Sequence, residues 1–161
     1  MQLPIGFMQG RLSPLVNGKI QAFPWDNWRD EFLIANEYDF NIIEWTLDQS
    51  QLYENPLMTE VGQKEIRALS NKYKISIPSL TGDCFMQAPF YKVKGKNREN
   101  LLQDFRNIII SCGKIGIEFI IFPLVDNGKL ENAQQEKALK KGLALFDSEL
   151  HRYGIKIIFE S

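Results

Sequence analysis

The chain has 161 residues, 44% hydrophobic and 24% charged, with 19 basic against 20 acidic side chains and a formal net charge of -1. That size and mix fit one domain with a real core and exclude a disordered, collagen-like or low-complexity chain. The balanced charge gives no polyanion-binding surface, so a nucleic-acid partner is not expected. Only two cysteines occur, Cys84 and Cys112, which leaves no disulfide framework and points to a reducing compartment, read here as the cytoplasm. Residues 1–12 lack the basic start and long apolar run of a leader peptide. No segment reaches the roughly 18 consecutive apolar residues of a membrane span, so no membrane partner is expected.

In chain order, the first strand is expected at 5–8. Trp25, Trp28, Phe32 and Ala35 then recur at spacings of three and four and predict a helix with one apolar stripe. A second strand follows at 41–45. Thr59 is a candidate N-cap, with Glu60 in the first turn, for a helix carrying Ile66, Leu69 and Tyr73. The third strand is expected at 75–80. Leu101, Leu102, Phe105, Ile108, Ile109 and Cys112 predict a third helix, ended by Gly113 or Gly116. A fourth strand lies at 117–124, and Ala138, Leu139, Leu143, Phe146 and Leu150 predict one continuous helix that ends near Gly154. The last strand is expected at 155–159. Each strand run is short and rich in Ile and Phe, as suits strands buried on both faces.

This strict alternation implies right-handed crossovers and a parallel sheet. Two architectures fit it. One is an open doubly wound sheet, complete in five strands. The other is a (β/α)8 barrel, since strand starts average 37.5 residues apart and eight such units come to about 300 residues, within the barrel range. The final strand meets Ser161 with no helix after it. The expectation is therefore α/β: residues 1–161 form a single domain, the N-terminal five-stranded portion of a (β/α)8 TIM barrel.

In either architecture the active face lies at the C-terminal ends of the strands. The first strand delivers Gln9 and Arg11, the second Glu44, the third Asp83 and the fifth Glu160. Strand alternation groups Glu160 with Ile158 and Lys156, opposite Ile155, Ile157 and Phe159. It likewise groups Glu44 with Ile42, opposite Ile43 and Trp45. A carboxylate turned into a barrel mouth loses hydration and needs a cation or donor; a divalent metal and an Arg or Lys partner both satisfy that need.

The run Gly6-Phe7-Met8-Gln9-Gly10-Arg11-Leu12-Ser13-Pro14, then Phe23-Pro24-Trp25, Trp28-Arg29-Asp30-Glu31-Phe32 and Ile43-Glu44-Trp45, resembles the start of a sugar phosphate isomerase/epimerase of the xylose-isomerase-like TIM barrel superfamily. Gly82-Asp83-Cys84-Phe85-Met86, Phe122-Pro123-Leu124-Val125-Asp126 and Ile158-Phe159-Glu160 fit the same pattern, so the resemblance runs along almost the whole chain. It implies a barrel that binds one divalent ion, manganese first, with magnesium, cobalt or zinc as alternatives. Glu160 matches the ligand that ends strand five, and the other ligands would come from strands six to eight. The implied chemistry moves a proton next to the carbonyl of a sugar or sugar phosphate, with Glu160 as a catalytic acid/base as well as a metal ligand. Gln9, Arg11, Glu44 and Asp83 are candidate substrate contacts. The 161-residue chain is expected to be inactive by itself.

Other signals carry less. His151, the one histidine, falls in a last helical turn, where a cation is a routine stabiliser. Cys84 beside Asp83 is expected to be unreactive, and Cys112 to be core. Lys92, Lys94, Lys96 and Arg98 read as a solvated loop, with a phosphate-steering lip as the alternative. The stretch 81–97 is long for a strand-to-helix connection, and its Phe85, Phe90 and Tyr91 either close over substrate or pack on neighbouring loops. A second functional reading is a non-catalytic five-stranded α/β module that binds a small ligand or a protein, with its free edge strands covered by a second copy.

Overall fold

The structure, a computed structural model, describes residues 3–19 and 22–161. Met1 and Gln2, at the start of the segment read above for a leader, lie outside them. Five strands form one sheet: β1 (Gly6–Met8), β2 (Ile42–Thr46), β3 (Ser76–Thr81), β4 (Phe119–Pro123) and β5 (Lys156–Glu160). Every neighbouring pair is parallel, and their order in space is their order in sequence.

That order decides between the two architectures. A right-handed crossover that always steps one strand in the same direction keeps every helix on one face. A doubly wound sheet needs a reversal of strand order to reach its second face, and none occurs. Burial agrees. Ile43, Trp45, Leu80, Ile120 and Phe122 are buried beneath the helices. On the other face Ile42, Glu44, Ser79, Phe119 and Ile121 are only half-buried. The winding is that of a barrel wall, with one face packed and one face open.

The helices between the strands are α1 (Asp30–Glu37), α2 (Glu60–Tyr73), α3 (Asp83–Gln87), α4 (Gly95–Ile115), α5 (Ala133–Ala144) and α6 (Asp147–Tyr153). Thr59 caps α2 as expected, its hydroxyl accepting from the Gly62 amide at 3.0 Å. Gly116 ends α4 with φ +88°, a conformation that suits glycine. Gly113 sits inside the helix instead, where a Cβ would come within 2.2 Å of the Tyr153 ring.

Two expectations change. The first helix begins at Asp30, because Trp25 and Trp28 belong to turns in which the Asn27 and Trp28 amides bond the Pro24 carbonyl. These turns wrap Phe23 and Trp28 around Trp45, with ring centroids at 5.6 and 5.8 Å. The fourth helix is broken at Leu145 and Phe146, whose amides bond three residues back to Gly142 and Leu143. The redirection seats Phe146 edge-on against Phe105 at 5.0 Å, and Gly142 leaves room for the Phe90 ring. The stretch 81–97, left open between closing over substrate and packing, folds into α3 and a 3-10 turn, and its Phe85, Phe90 and Tyr91 pack in the core.

At the centre of that core Phe122 is fully buried, stacked on Phe85 at 4.7 Å and edge-on to Phe105 at 6.1 Å. Truncating a buried Phe removes its transfer free energy and leaves a cavity. Phe122→Ala is expected to lower unfolding free energy by about 3–5 kcal/mol, measured by urea denaturation. A loss below about 1 kcal/mol would show that this cluster does not hold the helices on the sheet.

Candidate functional site at the strand ends

Strand register defines the open face. Met8 pairs with Glu44, Glu44 with Ser79, Ser79 with Phe119, and Phe119 with Lys156. Paired residues of a parallel sheet project to the same side, so this rung lines one face. Ile121 pairs with Ile158 and Pro123 with Glu160 further along the same strands. Glu160 therefore shares the open face with Ile158, Lys156 and Glu44. It is exposed and ends β5. Phe159, on the packed side, meets Phe122 with ring centroids at 5.8 Å.

The five residues singled out from sequence fall in different settings. The half-buried Glu44 is partnered within the sheet: its carboxylate accepts from the Ser79 hydroxyl at 2.7 Å and the Thr81 hydroxyl at 2.5 Å. It lies three strand intervals from Glu160, roughly 14 Å along the sheet at about 4.8 Å per strand, so the two carboxylates do not share one ion or proton. Arg11 is exposed in the loop after β1. Gln9 and Asp83 are both buried. Gln9 is fully buried, its carboxamide oxygen accepting from the Thr46 amide and its carbonyl accepting from the Thr46 hydroxyl, both at 3.2 Å. It ties β1 to β2. Asp83 is 4% exposed in the first turn of α3, where the chain has already turned off the strand.

Among the described residues no three His, Cys, Asp or Glu side chains form a group that could hold a metal ion. Glu160 is an oxygen donor of the right kind for a hard divalent cation, but a single exposed carboxylate does not hold one. The residues present do not make a metal centre by themselves. Neither thiol is a nucleophile. Burial, then the charges of Asp83 and Asp48, push Cys84 well up, and burial alone pushes Cys112 up. The sequence reading named Asp83 as the cause for Cys84, whereas desolvation is the larger one. His151 stands in the last turn of α6, as read.

Sequence reasoning missed Glu31. It is fully buried, and its Oε1 accepts the amides of Gly10 at 2.8 Å and Leu12 at 3.2 Å. It thus holds the loop after β1 on which Arg11 stands. An acidic residue in the first turn of a helix reads as a dipole partner, and nothing local reveals that it reaches back 21 residues. Burial raises the Glu31 pKa. The nearby Ser13 hydroxyl, outside good hydrogen-bond geometry, and the two amides pull it down less strongly.

A carboxyl whose folded pKa exceeds its unfolded one makes stability fall as pH rises from the unfolded pKa through the folded one. Glutamine keeps an acceptor for both amides and cannot ionise. Urea midpoints of Glu31→Gln and the parent, compared across pH, are expected to run level in acid. The variant should gain on the parent as pH rises above the usual glutamate range. Parallel curves would show that Glu31 carries no ionisation penalty.

Compared by sequence, the chain matches no family model and no curated protein. Compared by structure, it superposes on 3-keto-D-glucoside 4-epimerase from E. coli with a TM-score of 0.65 at 14% identity, covering 98% of this chain and 56% of that one. It is similar to a xylose isomerase domain protein from Planctomyces limnophilus (TM-score 0.65, 10% identity, 98% and 54% covered). A D-tagatose 3-epimerase-like protein gives a TM-score of 0.62 at 13% identity, with 99% and 53% covered. The chain spans about half the length of these structures. Together with sequential parallel strands and one open face, this gives the fold: a five-stranded portion of a (β/α)8 TIM barrel.

Proposed function

We propose that this chain is the strand-one-to-five portion of a sugar or sugar-phosphate isomerase or epimerase, with Glu160 as a carboxylate that takes or returns a proton next to a carbonyl. The observation that supports this most is the end of β5: an exposed carboxylate on the open face of a barrel wall, where such enzymes carry their chemistry. The names of the structural neighbours, two of them sugar epimerases or epimerase-like, agree with a sugar-modifying fold.

A carbon-bound proton beside a carbonyl is weakly acidic, so its removal needs a positioned base and stabilisation of the oxyanion that forms. Glu160 is assigned the base. Arg11, exposed after β1, is assigned to a substrate phosphate or hydroxyl. Glu44 is assigned to a substrate hydroxyl through the lone pairs that Ser79 and Thr81 leave open. A divalent ion, manganese first, belongs to the proposal only for a chain that brings further ligands beside Glu160, and no step is assigned to it here. Both cysteines are free and buried, in keeping with a reducing compartment such as the cytoplasm. No helix among the described residues is long and apolar enough to cross a membrane.

A second reading, the non-catalytic binding module, draws on β5 itself. Ile158 is 43% and Phe159 48% exposed beside an unpaired strand edge, and such an edge needs covering. A second copy of the chain would cover it, and the gel-filtration mass distinguishes a dimer from a monomer.

The 161-residue chain alone is expected to show no epimerase turnover with ketoses and manganese. Turnover would mean that the chemistry needs nothing beyond these strands. In a chain carrying strands six to eight, Glu160→Gln is expected to slow deuterium wash-in at the carbon beside the carbonyl by about 10²–10⁴-fold. An unchanged rate would remove Glu160 from the reaction.

A further inference from the structure

Beside α4, the loops after β2, β3 and β4 enclose a cleft of about 560 Å³, inside the range of about 300–1,000 Å³ usual for small-ligand sites. Neither Arg11, Glu44 nor Glu160 lines it. Its apolar lining is Pro89, Val93 and Leu101, with Ala88. Its walls carry five side-chain amides, from Gln49, Gln87, Asn97, Asn100 and Asn127. The α4 wall is a single stripe, because residues 97, 100, 101 and 104 recur at helical spacing.

Some of these groups hold the cleft in shape. Gln87 accepts from the Gln49 amide and donates to Asp48, both at 2.7 Å. Asn127 donates to the Met86 carbonyl at 3.1 Å, which joins the loop after β4 to the loop after β3. Others remain open. The carboxamides of Asn97 and Asn100 make no hydrogen bond among the described residues, and the Gln49 and Asn127 side-chain oxygens accept none. Both asparagines are exposed to the cleft.

Of the two charged groups lining the cleft, Lys92 is ion-paired and Asp104 is hydrogen-bonded by neutral donors. Lys92 Nζ lies 3.4 Å from Glu131. Asp104 accepts from the Tyr53 hydroxyl at 2.6 Å and the Gln49 carboxamide at 3.3 Å. An anionic ligand would therefore meet no uncompensated cation, while the Asp104 carboxylate remains an acceptor that a ligand hydroxyl can reach. A hydroxyl both donates and accepts, as a side-chain amide does, and the carbon face of a sugar ring suits an apolar lining. We propose that this cleft binds a neutral polyhydroxylated ligand, a saccharide or polyol, through Asn97 and Asn100. The assignment goes beyond the proton-transfer reading and does not rest on Glu160.

The test titrates D-glucose, D-sorbitol and D-glucose 6-phosphate into isotope-labelled 161-residue chain and follows backbone and side-chain amide shifts by NMR. Glucose and sorbitol are expected to give saturable shifts centred on Asn97, Asn100 and residues 87–93. Asn97→Ala/Asn100→Ala is expected to weaken that binding about three- to tenfold. Alanine favours the helix at both exposed positions, and an unchanged unfolding midpoint confirms that the double variant stays folded. Non-saturating shifts, or equal affinity in the double variant, would overturn the proposal. So would a phosphate ester that binds the cleft more than tenfold tighter than glucose, which would mark an anion site at Lys92. Shifts centred on Arg11, Glu44 and Glu160 would favour the open-face reading and overturn this one. Glu160→Gln is expected to leave cleft binding unchanged, so the two proposals fail separately.

Discussion

A parallel strand can be reached only by carrying the chain back over the sheet, and the hand of that crossover decides which face the helix covers. Here every crossover advances by one strand in the same direction. All the apolar burial consequently falls on one side, under Trp45, Ile43, Ile120 and Phe122. The other side mixes Glu44, Ser79, Thr81, Lys156 and Glu160 with Ile42, Phe119, Ile121 and Ile158. The candidate chemistry, the exposed edge of β5 and the likeness to barrel proteins all follow from this asymmetry.

Three glutamates show how setting divides one side-chain type into different roles. Glu31 is taken fully out of water and compensated by two backbone amides, a structural arrangement that fixes the loop after β1. Glu44 is half-buried and met by two hydroxyls from β3, which lock it across the strand pair. Glu160 has no such neighbours among the described residues and is exposed at a strand end. Partnered carboxylates stabilise their surroundings, while an open one remains available to a substrate.

The strands were legible because the residues facing the helices, such as Ile43, Trp45, Ile120 and Phe122, must be apolar whatever lies on the other side. Their observed bounds differ from the apolar runs by about a residue at most ends, as hydrogen bonding rather than hydropathy sets the limits. Helix periodicity was less informative at 25–28 and at 145–146. Apolar spacing records which residues are buried, and a turn or a kink can bury the same set. The burial of Gln9 and Asp83 was hidden for a related reason. Proximity to a strand end is visible in the chain order, but whether the backbone beyond it folds over the side chain is not. The face of Glu160 was legible, since alternation along a strand has period two and needs no knowledge of partners.

The amino-acid sequence by itself determined the α/β alternation, the parallel pairing it entails and the side of β5 on which Glu160 lies, because these depend on local period and chain connectivity. Only the tertiary structure decided between an open sheet and a barrel wall, buried Gln9, Asp83 and Glu31, and assembled the cleft beside α4. Strand order, reach-back hydrogen bonds and loop-to-loop contacts join residues tens of positions apart, and no local pattern encodes such distances.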